Sequence, residues 1–235
     1  NDSFVVEKTL EYAKLSELSY AKLKWTGAQW VLDDTDPENI SKYGALWLEM
    51  TGPDKAYKVL NFCDDTQGSG YVGTLFYNSE TRKTILANRG VDGRSTDDKT
   101  AISNIVSRCV PSGQFRSMVD FITHCQSTYN ENLTEFDVIG HSLGGCLAQM
   151  AKAAYSENVR DVYTYNAPGA LNLNQNYSFF SDSETPGKVN VIDNSAVTPP
   201  VEWSVIAWTK YNEFFSTRQS VDGSKVYNLS TTVDQ

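Results

Sequence analysis

The stretch of sequence with the clearest chemical potential surrounds Ser142. Residues 138–145 read Val-Ile-Gly-His-Ser-Leu-Gly-Gly, so Gly140 stands two residues before the serine and Gly144 two residues after it. A serine in this G-x-S-x-G spacing is a hydrolase nucleophile when a strand precedes it and a helix follows, because the tight turn between them leaves no room for side chains at the two glycine positions. The pattern predicts acyl transfer through a covalent acyl-serine.

The residues on either side of Ser142 predict the required strand and helix. Residues 136–139 form a short apolar run, residues 143–156 an alanine-rich helical segment, and residues 160–165 a second strand. The serine would then stand at the N-terminal end of a helix, where the helix dipole and free backbone N–H groups stabilise an oxyanion. The N–H of Leu143 is the first candidate donor.

Hydrophobic spacing and turn residues give the remaining elements. The predicted helices cover residues 4–23 and about 115–129, and the predicted strands cover residues 56–63, 71–77, 84–89, 188–193 and 225–229. Residues 25–53, rich in Asp, Gly and Pro, are predicted to be loop with short elements. Consecutive hairpins followed by alternating strands and helices predict an α/β fold of the α/β-hydrolase type, with a mostly parallel sheet flanked by helices and antiparallel strands on its N-terminal side.

The bulk composition limits the choice of partners. Of 235 residues, 40% are hydrophobic and 21% charged, which predicts one globular domain over residues 1–235. A net charge of −9 disfavours nucleic acid and anionic membrane surfaces and fits a small neutral or apolar substrate. We predict no transmembrane segment, because the sequence lacks an apolar run long enough to span a bilayer. The four cysteines lack metal-ligand spacing, so no metal site is predicted. Acyl transfer through a serine needs no cofactor, so none is predicted. The composition leaves the compartment, the redox state of the thiols and the oligomeric state open.

Several stretches together resemble the class 3 lipase family of α/β-hydrolases, especially its bacterial lipase-like members. They are residues 86–90 (Leu-Ala-Asn-Arg-Gly), 138–150 and 163–169 (Tyr-Thr-Tyr-Asn-Ala-Pro-Gly), in the family's order and spacing, while residues 15–20 are similar to the N-terminal helix of the bacterial members. The resemblance spans about residues 10–200. It implies a carboxylesterase or lipase of lipid metabolism that works without a cofactor on an ester or lipid substrate.

The resemblance also implies roles for Val91 and Asp193. In the family, the residue after the Arg-Gly pair supplies the second oxyanion N–H; here it is Val91, which lacks the hydroxyl of the usual Thr or Ser. The family's acid follows a strand beyond the Asn-Ala-Pro-Gly segment, which implies that Asp193 orients the catalytic histidine. Alignment of the acid with Ser195 is the alternative register, and an Asp193 that only caps a turn is the alternative role.

The sequence holds two histidines, and neither fits the family's base. His141 lies inside the serine motif, and His124 precedes the nucleophile, whereas the order in this fold is Ser, acid, His. We expect the domain to be truncated before a catalytic histidine that follows Gln235. Residues 1–235 alone would then be nearly inactive, since losing a triad member costs about 10⁴- to 10⁶-fold in rate.

Three alternatives remain open at this stage. The first is an inactive α/β-hydrolase fold that serves as a binding module, and the second is a phospholipase A1, which shares the mechanism and differs in substrate. The third concerns residues 201–208, which contain two tryptophans: they form either a lid that contacts a lipid interface or an element packed on the core.

Overall fold

The structure is a computed structural model that describes residues 2–92, 111–167, 210 and 225–229. Asp193, Ser195, the predicted strand over 188–193 and the tryptophan segment over 201–208 lie outside the described residues, as does the end of the Asn-Ala-Pro-Gly segment.

The described residues form four helices, one short 3₁₀ turn over Asn130–Asn132 and eight strands. The helices are α1 (Asp2–Leu18), α2 (Pro37–Thr51), α3 (Ser112–Thr128) and α4 (Leu143–Ala154). The strands are β1 (Leu23–Trp25), β2 (Trp30–Leu32), β3 (Tyr57–Asp65), β4 (Tyr71–Asn78), β5 (Lys83–Asn88), β6 (Phe136–His141), β7 (Val159–Tyr165) and β8 (Val226–Leu229).

The main sheet confirms the predicted fold class. Its six strands lie in the order β3-β4-β5-β6-β7-β8. The first three are joined as antiparallel hairpins, and the pairings from β5 to β8 are parallel. Each parallel pairing needs a crossover connection, and α4 provides the one between β6 and β7. The result is an α/β-hydrolase fold, accompanied by a separate antiparallel pair formed by β1 and β2.

Helices cover both faces of this sheet, and β6 divides its side chains between them. Val138 joins a buried cluster with residues of α3 and α4, whereas Ile139 joins a second cluster with residues of α1 and α2. Every residue of α4 is buried. Its glycines and alanines allow this close packing, because small side chains let a helix approach a sheet.

A buried carboxylate fastens α1 to the sheet at the end opposite Ser142. Asp137 is fully buried and accepts hydrogen bonds from Tyr12 Oη at 2.5 Å and Arg160 Nε at 2.9 Å. Lys8 Nζ lies 3.6 Å from the same carboxylate and also pairs with Asp161 at 3.1 Å. Two cationic side chains and a phenol therefore compensate the buried charge, as a buried ion requires.

Two sequence predictions were wrong in this part of the chain. Residues 25–53 are not mainly loop, because they contain the 15-residue helix α2. Its start is well marked: Asp36 accepts hydrogen bonds from the backbone N–H groups of Glu38 and Asn39, and Pro37 is the first helical residue. Helix α1 also ends at Leu18, earlier than predicted.

Among the residues that the structure describes, no helix combines the length and the apolarity that crossing a bilayer requires.

Candidate active site

Ser142 occupies a strained turn between β6 and α4. Its backbone has φ of 53° and ψ of −126°, a region that residues other than glycine rarely adopt. Two hydrogen bonds hold the turn: the Ser142 N–H donates to Tyr165 O at 2.9 Å, and the Gly145 N–H donates to Ser142 O at 3.0 Å. This strand-turn-helix geometry is what the spacing of the serine motif predicts.

The glycines around Ser142 are required by close contact. A Cβ on Gly140 would lie 2.2 Å from the carbonyl carbon of Gly144, and a Cβ on Gly144 would lie 2.1 Å from Asn88 O. Neither glycine has a positive φ, so available space and not backbone conformation fixes their identity. The first turn of α4 can therefore rest directly against the ends of β5 and β6.

The end of β5 also lies beside the serine. A Cβ on Gly90 would be 3.1 Å from Ser142 Cβ and 2.4 Å from His141 O. Val91 follows immediately, is half-buried, and packs against the core cluster on the α3 and α4 side, while Leu143 is the buried first residue of α4. The structure thus brings the two segments that carry Val91 and Leu143 together at Ser142. The convergence of their N–H groups on one oxyanion stays a prediction.

Arg89 stabilises the segment that leads to Val91 through two polar contacts. Its buried guanidinium forms an ion pair with Asp92 at 3.3 Å and donates a hydrogen bond to Gly70 O at 3.3 Å. These contacts span the turn from residue 89 to residue 92 and tie it to the start of β4. In the sequence, Arg89 was only part of the Arg-Gly motif, and its contacts with Asp92 and Gly70 O were not predicted.

The side chain of His141 is hydrogen-bonded to Tyr20. The part of the chain that the structure describes shows no hydrogen bond between His141 and the side chain of Ser142. The Tyr20 hydroxyl lies 2.8 Å from His141 Nδ1. Burial raises the pKa of Tyr20 to about 12, against the opposing effect of a hydrogen bond from the Gly90 N–H. Tyr20 is therefore a neutral phenol at pH 7. Sequence reasoning did not single it out, because its partners lie far away along the chain.

A cleft of about 710 Å³ opens beside this turn. Tyr20, Arg89, Val91 and His141 contribute to its wall near the serine. The rest of its wall is mostly charged or polar, with acidic and basic side chains from α2 and from the end of β3. Such a lining can hydrogen-bond the polar part of a substrate.

The structure also describes His124 and three of the four cysteines. His124 is exposed near the C-terminal end of α3. Asp193 lies outside the described residues, so its role stays a prediction. Cys63, Cys125 and Cys146 carry free thiols.

No protein-family model matches this chain, and no curated protein sequence does. Solved structures of fungal lipases are similar to it. The lipase of Rhizopus microsporus var. chinensis is 16% identical over 71% of this chain and 58% of its own, with a TM-score of 0.46. Lipase II of Rhizopus niveus is 18% identical over 71% and 63%, with a TM-score of 0.43. The Lip2 lipase of Yarrowia lipolytica is 14% identical over 80% and 70%, with a TM-score of 0.48.

This chain spans less than two thirds of the length of the two Rhizopus lipases. Because all three TM-scores are below 0.5, we assign the α/β-hydrolase fold from this chain's own sheet order and from the strained turn at Ser142.

Proposed function

We propose that the protein is a serine carboxylesterase or lipase that cleaves acyl esters through Ser142. The observation that carries this proposal is the backbone of Ser142, which is held at a positive φ between β6 and α4. Such a conformation in a residue other than glycine costs about 1–3 kcal/mol and persists where the surrounding structure enforces it, commonly at active sites. Here Gly140 and Gly144 clear the space that the turn needs.

The proposed reaction has two steps. Ser142 Oγ attacks the ester carbonyl, and the N–H groups of Val91 and Leu143 stabilise the oxyanion. The tetrahedral intermediate then expels the alcohol and leaves an acyl-serine, which water hydrolyses to the free acid. A histidine takes the serine proton and passes it to the leaving alcohol, and Asp193 orients that histidine. This chemistry requires no metal or cofactor.

His141 is hydrogen-bonded to Tyr20, and His124 is exposed on α3, so neither is assigned as the base. The predicted likeness to bacterial members of the class 3 lipases also remains a proposal, since the similar solved structures described above are fungal.

The cleft beside the serine motif supports a substrate with a polar portion. Its wall carries Arg89 and other charged side chains, which can hydrogen-bond a polar alcohol or head group. A phospholipase A1 differs from an esterase in the head group that it accepts, so both substrate classes fit this proposal.

Hydrolysis of a short-chain p-nitrophenyl ester tests the proposal. In protein produced from the complete coding sequence, we expect Ser142→Ala to lower kcat/KM by about 10⁴-fold or more. Ser127→Ala is the matched control, because Ser127 is exposed and its hydroxyl only donates to His124 O; its activity should equal that of the wild type. Full activity in Ser142→Ala would refute the proposal. Absence of hydrolysis in the wild type would favour the inactive binding module instead.

A further inference from the structure

We propose that Tyr20 is a positioning residue for the oxyanion site. Its hydroxyl joins the segment after β5, which carries Val91, to the turn after β6, which carries Ser142 and Leu143. The inference rests on the proposed function, because it assigns to Tyr20 the alignment of the two candidate oxyanion donors.

One hydroxyl contacts both segments. Tyr20 Oη lies 2.8 Å from His141 Nδ1, and it also lies against the backbone of Gly90. The approach to Gly90 is close, since a Cβ on that glycine would lie 2.4 Å from Tyr20 Oη. Gly90 directly precedes Val91, and His141 directly precedes Ser142. The bridge is therefore one residue from each side of the site.

The bridge lies where backbone pairing between the two strands has ended. The parallel register of β5 and β6 runs from Ile85–Asp137 to Asn88–Gly140. Beyond that last pair, β5 continues into Gly90 and Val91 while β6 continues into the serine turn. The Tyr20 hydroxyl links the two chains at this point, so it can fix the spacing between them.

Tyr20 is itself held firmly. It follows α1, whose Leu15 and Leu18 are fully buried, and its own N–H donates to Glu17 O at 3.1 Å. The same helix is anchored to the sheet through the Tyr165 hydroxyl, which donates to Thr9 O at 2.7 Å. A bridge that is built on such a rigid element can hold the donors at a set distance.

The hydrogen bond between Tyr20 and His141 can be observed directly. Tyr20 Oη lies within hydrogen-bond distance of His141 Nδ1, and which of the two donates depends on the tautomer of the imidazole. Imidazole ¹⁵N chemical shifts report whether Nδ1 takes part in a hydrogen bond.

Labelling by a fluorophosphonate probe measures the positioning effect. In protein from the complete coding sequence, we expect Tyr20→Phe to lower the second-order labelling rate of Ser142 by about tenfold, less than the 10²- to 10³-fold typical of losing an oxyanion donor outright. Tyr12→Phe is the matched control, since it removes another buried phenol hydroxyl, one that donates to Asp137 at the far end of the sheet. Its labelling rate should stay within about twofold of the wild type.

The outcomes separate this inference from the proposed function. Equal labelling rates in Tyr20→Phe, Tyr12→Phe and the wild type would overturn the positioning role alone. Labelling that persists in Ser142→Ala would overturn the proposed function instead. The ¹⁵N spectrum of the wild type gives a test that needs no variant to fold: a hydrogen-bonded Nδ1 of His141, in either tautomer, supports the bridge, and an Nδ1 without a hydrogen bond overturns it.

Discussion

Substitution of Gly140 by alanine tests whether the serine turn is as tightly packed as its contacts indicate. The added Cβ would lie 2.2 Å from both the carbonyl carbon and the carbonyl oxygen of Gly144, whereas carbon atoms in contact normally lie about 3.5–4.0 Å apart. Relief requires a backbone shift of more than roughly 1 Å at the start of α4. Every residue of that helix is buried, so it cannot move freely. We expect a loss of about 3 kcal/mol in the free energy of unfolding, at the upper end for overpacking.

Gly44→Ala is the matched control. Gly44 lies in the interior of α2, and the nearest atom to an added Cβ is Ile40 Cγ2 at 3.6 Å, an ordinary contact. This change should raise the free energy of unfolding by about 0.5–1 kcal/mol, because glycine inside a helix is less favourable than alanine. Urea unfolding followed by circular dichroism measures both variants, and they should differ by about 4 kcal/mol at an unchanged m-value. If Gly140→Ala is as stable as the wild type within about 0.5 kcal/mol, the proposed packing of the turn is wrong.

Three further predictions concern buried polar groups and thiols. Asp137→Asn should lower the free energy of unfolding in urea by about 3–5 kcal/mol, because it removes the buried charge that pairs with Arg160; a loss below about 1 kcal/mol would contradict this. Although partial burial acts the other way, hydrogen bonds from Ser69 hold the pKa of Asp65 below its ordinary value. The wild type should therefore be more stable than Asp65→Asn at pH 7, and that advantage should disappear as the pH falls below about 4; an advantage that grows on acidification would refute the sign. Burial raises the pKa of Cys63 to about 12, so iodoacetamide at pH 8 should modify it only after denaturation, as mass spectrometry of its peptide can check.

The serine turn and the class of fold could be predicted because local sequence determines them. Gly140 stands two residues before Ser142, and Gly144 stands two residues after it. The apolar run before Gly140 specifies a strand, and the small residues after Gly144 specify a closely packed helix. Hairpin spacing around β3, β4 and β5 likewise predicted their antiparallel pairing, which the structure confirms.

Helix α2 was missed although its start carries a local signal. The density of Asp, Gly and Pro before residue 53 favoured loop, but Asp36 followed by Pro37 is the usual start of a helix, with a capping side chain and a residue that needs no hydrogen-bonded N–H. The prediction gave more weight to the overall composition of residues 25–53 than to the order of residues at Asp36-Pro37. The Asp36-Pro37 pair is therefore the signal in the sequence from which α2 can be predicted.

The contacts that organise the site could not be predicted, because they join distant parts of the chain. Tyr20 and His141 are 121 residues apart, and no hydrophobic period or turn rule relates them. The contact of Arg89 with Gly70 O likewise depends on how β4 and β5 pair in three dimensions. Side-chain bridges of this kind follow from the tertiary arrangement and leave no pattern in a single sequence.

The most direct test of the proposed nucleophile is the identity of the residue that a fluorophosphonate modifies. Protein from the complete coding sequence is incubated with the probe, digested and mapped by tandem mass spectrometry. We predict one covalent adduct, located on Ser142, and its absence in Ser142→Ala under the same conditions. An adduct on another serine, or one that forms equally well in Ser142→Ala, would contradict the assignment of Ser142 as the nucleophile.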